Sequence, residues 1–165
     1  MDWTVKAAVF AIPVGIIATA VMDIERIVVF GVPVPAGDGK RRNGPYLLGR
    51  WVCYMFKGQF RHADITQSPP LRAEGAVGWV AHYLIGWNLA LTYFLLLDRT
   101  GLSASLPAAV IYGACTTVFA WLLMLPAWGM GWFGTRSKMT FFSLVNHIAF
   151  GVGLFLGTLI FNPFS

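Results

Sequence analysis

The sequence predicts an all-α fold: an integral-membrane four-helix bundle with an interfacial amphipathic helix in its first cytoplasmic loop. Three observations carry this. Apolar residues make up 57% of the chain and charged residues only 12%, about half the charged fraction of an average soluble domain. Four apolar stretches, about 5–30, 75–97, 105–125 and 141–161, are each long enough to cross a bilayer. Basic residues crowd into one connection, with seven of the twelve Lys and Arg falling between Lys40 and Arg72. The whole chain, 1–165, is expected to form a single transmembrane domain.

The first segment runs from Val5 to Phe30, with Pro13 near its start. A cleaved signal peptide is the competing reading, with Lys6 before the apolar run and Ala18-Thr19-Ala20 as the cleavage site. Cleavage would leave three spans and place the Lys40–Arg72 cluster outside, against the positive-inside rule. Four spans are therefore expected. Residues 31–74 form a long connection that begins rich in Pro and Gly (Val32-Pro33-Val34-Pro35, Gly37-Asp38-Gly39). Within it, Pro45 to Phe60 joins Tyr46, Leu47, Trp51, Tyr54, Met55 and Phe56 to Arg50 and Lys57. An aromatic body with basic flanks suits a helix lying in the headgroup region. The rival is a loop folded under the bundle.

Segment two, Gly75–Leu97, has only His82, Asn88 and Thr92 as polar interruptions. Its length corresponds to about 34 Å of helix. The turn Asp98-Arg99-Thr100-Gly101 leads to segment three, which Pro126 and Gly129 stop, and segment four carries Asn146 and His147. With four spans, loops 31–74 and 128–140 share one side and hold nine Lys and Arg, including Arg136 and Lys138, against Lys6 and Arg99 opposite. The positive-inside rule places both loops in the cytoplasm and both termini outside. The +5 net charge is thus a topology signal, and no nucleic-acid partner is implied. Cys53 and Cys115 lie in unlike settings, a polar connection and an apolar segment, and are expected as free thiols.

The costly stretch is Asp23-Ile24-Glu25-Arg26, at the inner end of segment one. A charge at mid-bilayer costs about 2.5–3.5 kcal/mol on insertion scales, so an ionisable residue there needs a reason. Asp23, His82 and His147 each fall roughly 10 Å from the cytoplasmic boundary when residues are counted at 1.5 Å each. Each also lies in a four-residue row of small residues: Gly15–Thr19–Asp23, Gly78–His82–Gly86 and Ser143–His147–Gly151. Such rows let membrane helices approach closely. Segment three supplies Ala109, Gly113 and Thr117 as a packing wall. Arg26 is placed to pair with Asp23 three residues back, Glu25 points about 200° away with no assigned partner, and Asn146 accompanies His147. Asn88 is expected to bond a neighbouring helix, and His62 to be solvated in the basic loop.

This polar layer has several readings. The first is structural: a carboxylate accepting from imidazole N–H groups. The second is a metal site in which Asp23, His82 and His147 are the ligands. The third is bis-imidazole haem ligation by the two histidines, and the fourth is a path for protons or a small solute. No catalytic motif is recognisable, so the leading reading is non-enzymatic and without a cofactor. It is an accessory or interaction protein partnered by the lipid bilayer and by other membrane subunits or further copies of itself.

Gly15-Ile-Ile-Ala-Thr-Ala-Val-Met-Asp23, Gly49-Arg-Trp51, Gly58-Gln-Phe-Arg-His62, Gly78-Trp-Val-Ala-His-Tyr83, Leu125-Pro-Ala-Trp-Gly129 and Asn146-His-Ile-Ala-Phe-Gly151 form a familiar set. In these stretches the chain resembles a family of small bacterial four-span membrane proteins catalogued only as a domain of unknown function. The resemblance covers nearly the whole chain. It implies four spans and a bacterial inner-membrane location, and it implies no activity.

Overall fold

The computed structural model describes residues 3–31, 44–136 and 139–161, and among these residues every regular element is helical. In chain order they are α1 (Trp3–Phe30), α2 (Gly44–Met55), α3 (Glu74–Thr100), α4 (Leu106–Phe119), a π-helical turn (Ala120–Met124), α5 (Leu125–Ala127), a 3₁₀ turn (Trp132–Gly134) and α6 (Met139–Phe161). Lys40, Arg41, Arg42 and Lys138 of the basic loops, and most of the Pro- and Gly-rich start of the first connection, lie outside the described residues. Four stretches are long and apolar enough to cross a membrane: Val5–Val29, Glu74–Thr100, Leu106–Ala127 and Thr140–Phe161. Both cysteines are free.

The chain divides into two compact units. Unit one comprises Met1–Val29, Tyr83–Thr117 and Leu144–Ser165; unit two comprises Phe30–His82 and Val118–Ser143. In unit one the buried face of α1 is small: Ala7, Ala11, Val14 and Ala18 are fully covered, while Val5, Val9, Ile12 and Ile16 of the same helix are about half exposed. That is the reverse of a soluble helix. Lipid tails are as apolar as leucine, so bulk need not be hidden, and small residues go where backbones meet. A Cβ on Gly15 would stand 2.7 Å from the Trp87 Cα, and one on Gly86 would stand 1.9 Å from Thr19 Oγ1. Likewise a Cβ on Gly113 would lie 2.4 Å from the His147 carbonyl oxygen, and one on Gly151 would lie 2.5 Å from that of Ala109. The small-residue rows are therefore contact seams, and α4 is the wall expected of it, with Ala109 and Thr117 fully buried. Tyr112 ties α4 to α3 by donating to the Leu89 carbonyl at 2.8 Å. Asn88 departs from expectation. Its amide donates to Leu84 O in its own helix at 2.8 Å, on an exposed face, because the carbonyl one turn back satisfies it without a second helix.

In unit two, α2 is the amphipathic helix expected in the first connection, but it ends at Met55 and does not reach Phe60. The stop is a Schellman motif around Gly58, whose φ is +80°. Gln59 N donates to Tyr54 O at 3.0 Å and Gly58 N to Met55 O at 2.9 Å, the two bonds that close a helix end when glycine takes the left-handed conformation. One face of α2 (Pro45, Leu47, Leu48, Gly49 and Arg50) is buried. It meets the start of α3 so closely that a Cβ on Gly49 would fall 1.8 Å from Glu74 O, and one on Gly78 would fall 1.8 Å from Pro45 O. Leu47, Leu48, Ile65, Leu125, Ala127 and Trp128 form the apolar core of this unit.

The second helical end in unit two is also a Schellman motif. Met130 N donates to Leu125 O at 2.9 Å and Gly129 N to Pro126 O at 3.2 Å, with Gly129 at φ +83°. Two further carbonyls of this terminus, Ala127 O and Trp128 O, accept from His62 N at 2.8 Å and Ile65 N at 3.0 Å. The last carbonyls of a helix have no partner within it. Here the segment after α2 supplies the donors, and this fixes the path of residues 62–65.

Candidate functional site

The best-defined polar centre lies in unit two and is built by α2. Arg50 is completely buried, and its guanidinium meets the Glu74 carboxylate with both forks: Nε donates to Oε2 at 2.8 Å and Nη2 donates to Oε1 at 2.8 Å. Nη1 donates to the carbonyls of Ile65 and Ser68, each at 3.2 Å. Glu74 Oε2 also accepts from Leu71 N at 2.9 Å. Glu74 is the first residue of α3, where the free N–H groups and the positive end of the helix dipole favour a carboxylate. A planar fork matches a carboxylate with two parallel bonds, as an ammonium cannot. The sequence reading had Arg50 as a basic flank at the headgroups; it is the centre of a closed network.

The neighbours of Arg50 on α2 extend the same clamp. Trp51 Nε1 donates to Phe60 O at 2.9 Å, and Tyr54 Oη donates to Pro69 O at 3.1 Å. Three side chains of α2 thus hold four carbonyls of the irregular segment 56–73, a stretch with no regular secondary structure of its own. Trp51 also stands edge-on to Trp128, with ring centroids 6.3 Å apart.

His62 is buried, not solvated, at 7% exposure. The reason is local: its backbone is held by Ala127 O, and this turns the ring onto Tyr54 with centroids 5.0 Å apart. Nδ1 lies 2.9 Å from Ser68 Oγ and 3.3 Å from Gln59 Nε2. The same Gln59 nitrogen donates to Arg61 O at 3.5 Å, so it is the amide's NH₂. Nδ1 therefore accepts, and the ring proton sits on Nε2. Burial, and after it the positive charge of Arg50, hold the imidazole below its ordinary value. The Cys53 thiol is pushed up, chiefly by burial and then by Glu74, which makes it a poor nucleophile.

Unit one holds the second polar centre. Asp23 is 8% exposed and pairs with Arg26, Nη2 to Oδ1 at 3.3 Å, at the expected three-residue spacing. Tyr83, which the sequence reading did not single out, donates from Oη to Asp23 Oδ2 at 3.4 Å. Both Glu25 carboxylate oxygens are buried without a hydrogen-bond partner among the described residues, and so is Asn146 Oδ1. His147 and Asn146 belong to α6 in this unit, with His147 O against Gly113. His82 belongs to unit two, edge-on to Trp79 at 6.0 Å. Among the described residues no group of three or more His, Cys, Asp or Glu is placed to hold a metal ion.

No curated protein and no solved structure matches the chain. A family model does match, over residues 12–161, a range that includes most of the first span, the other three and both polar centres. The chain belongs to that family, described as Protein of unknown function (DUF2938).

Proposed function

We propose that this is a small polytopic protein of the bacterial inner membrane that serves as an accessory or interaction subunit, with loops 31–74 and 128–140 in the cytoplasm and both termini outside. The observation that carries the reading is the closure of the Arg50–Glu74 centre. Its carboxylate and guanidinium are saturated by each other and by backbone groups, so the charge is spent on holding a cytoplasmic platform in shape. A platform built in this way presents a fixed surface to other subunits. Native electrophoresis of membranes solubilised in mild detergent, with crosslinking before solubilisation, tests this. A discrete complex larger than the monomer is expected; a lone monomer under both conditions contradicts it.

A second reading is favoured by the polar groups of α1. Asp23 is buried and bonded by Tyr83 and Arg26, and Glu25 brings a second carboxylate within one turn. In this reading Asp23, with Tyr83 and Arg26 on it, serves a path for protons or a small solute. Transport would appear as pH-dependent flux in liposomes that Asp23→Asn abolishes.

A further inference from the structure

Unit two carries an open cleft of about 270 Å³, small beside the roughly 300–1,000 Å³ of sites for drug-sized ligands. Arg61 and Arg136 line it, together with His62, Trp132, Gly129 and Gly131, and among the described residues no Asp or Glu does. Both arginines are exposed, and neither has a carboxylate partner among the described residues. His62 is the third polar residue of the lining; it is buried, with Nδ1 used as an acceptor and Nε2 enclosed without a partner among the described residues. The accessible donors of the wall are thus the two guanidiniums, with no side-chain acid among the described residues to receive them.

The floor of the cleft is set by an unusual backbone. Gly129, Gly131, Phe133 and Gly134 all have positive φ, at 83°, 77°, 55° and 70°. Phe133 is the residue without glycine's freedom, and a left-handed conformation there costs about 1–3 kcal/mol. The turn is held by Gly134 N to Gly131 O at 3.1 Å and Arg136 N to Met130 O at 2.9 Å. That second bond folds the Arg136 stem over Gly131, whose added Cβ would lie 3.3 Å from the Arg136 Cγ. The strain therefore places one arginine on the rim and turns Trp132 and Phe133 outward, 57% and 48% exposed. Indole rings beside cationic groups are characteristic of a membrane–water interface.

We propose that this cleft binds a phosphate group, with the Arg61 and Arg136 guanidiniums as its donors. Arginine forks pair with phosphate oxygens through two parallel bonds, and an anion is what a donor wall without acids lacks. The phosphate can belong to an anionic phospholipid headgroup, which Trp132 and Phe133 would flank in the bilayer surface, or to a soluble phosphate ester. Basic clefts near the membrane face recognise lipid headgroups by this chemistry.

The test uses the full-length protein purified in neutral detergent. Retention of phosphatidylglycerol and phosphatidylcholine is read by native mass spectrometry, and binding of glycerol 3-phosphate and inorganic phosphate by titration calorimetry. The variants are Arg61→Gln/Arg136→Gln and, as control, Arg99→Gln, an exposed arginine at the end of α3. Because both cleft arginines are exposed, the double variant is expected to melt with the wild type by circular dichroism. Phosphatidylglycerol held about tenfold less well by the double variant, and equally by the control, supports the proposal with a lipid source. The same dependence seen only with the soluble phosphates supports it with a soluble source. If no phosphate-bearing probe binds the wild type, or the folded double variant binds as the wild type does, the proposal is overturned.

Discussion

Arg50 and Glu74, 24 residues apart, meet through two parallel hydrogen bonds of 2.8 Å with the arginine fully buried. This pair joins the middle of α2 to the first residue of α3. Through Nη1 it also fixes the carbonyls of Ile65 and Ser68. Removing one partner of such a pair leaves a buried charge without compensation, and that, more than the attraction itself, makes the pair consequential.

The first prediction concerns the α2–α3 contact that lets the pair form. Gly49→Ala or Gly78→Ala would place a Cβ 1.8 Å from a backbone carbonyl oxygen, so the two helices must move apart. A loss of about 1–3 kcal/mol is expected, as for overpacking generally. Gly75→Ala is the contrast: its Cβ would meet the Tyr46 ring at 2.8 Å, a side chain that can swing away. Thermal unfolding of the three variants in detergent should rank Gly75→Ala as the mildest.

His62 predicts a pH dependence. Its folded value lies below the ordinary imidazole value of 6.5, so the unfolded chain takes up a proton before the native state does. The stability linked to His62 is full above pH 6.5 and is lost as the pH falls from there through the folded value. Melting temperature measured from pH 7.5 to 5 should decline, and His62→Gln should flatten that decline. An unchanged slope would show that His62 is not the group responsible.

The Asp23 centre is expected to be locally modest. Tyr83→Phe removes one long hydrogen bond at 3.4 Å, and membrane hydrogen bonds average about 0.6 kcal/mol. Unfolding should shift by no more than about 1 kcal/mol. A much larger effect would mean that Tyr83 holds up more of unit one than Asp23.

Much of the fold could be read from the chain because its signals are local. Apolar length gave segment one as 5–30, where α1 is Trp3–Phe30, and segment four as 141–161, where α6 is Met139–Phe161. Small residues at four-residue spacing marked the seams that Gly15, Gly86, Gly113 and Gly151 form. The Asp23–Arg26 pair followed from helical spacing alone. Long-range relationships were harder to see. Arg50 looked like a headgroup anchor because nothing near it in sequence is acidic, and its partner is reached only when α2 folds back onto α3. Gly78 was read as part of a row with His82, yet the surface it meets is Pro45. His62 looked solvated beside Arg61, and the carbonyl that draws it inward belongs to Ala127, in another part of the chain. A signal was available in two of these cases: Gly49 before Arg50, and Gly58 as the stop that turns the chain toward His62.

The central claim is that the buried charges of unit two act as a structural lock, and a double-mutant cycle on Arg50 and Glu74 tests it most directly. Unfolding free energies would be measured in detergent for Arg50→Met, Glu74→Met and the double variant. Each single change is expected to cost about 3–5 kcal/mol, and the double variant to be more stable than Arg50→Met alone by at least about 1 kcal/mol, because no buried charge is then left unpaired. Strictly additive losses, or single variants as stable as the wild type, would contradict the account.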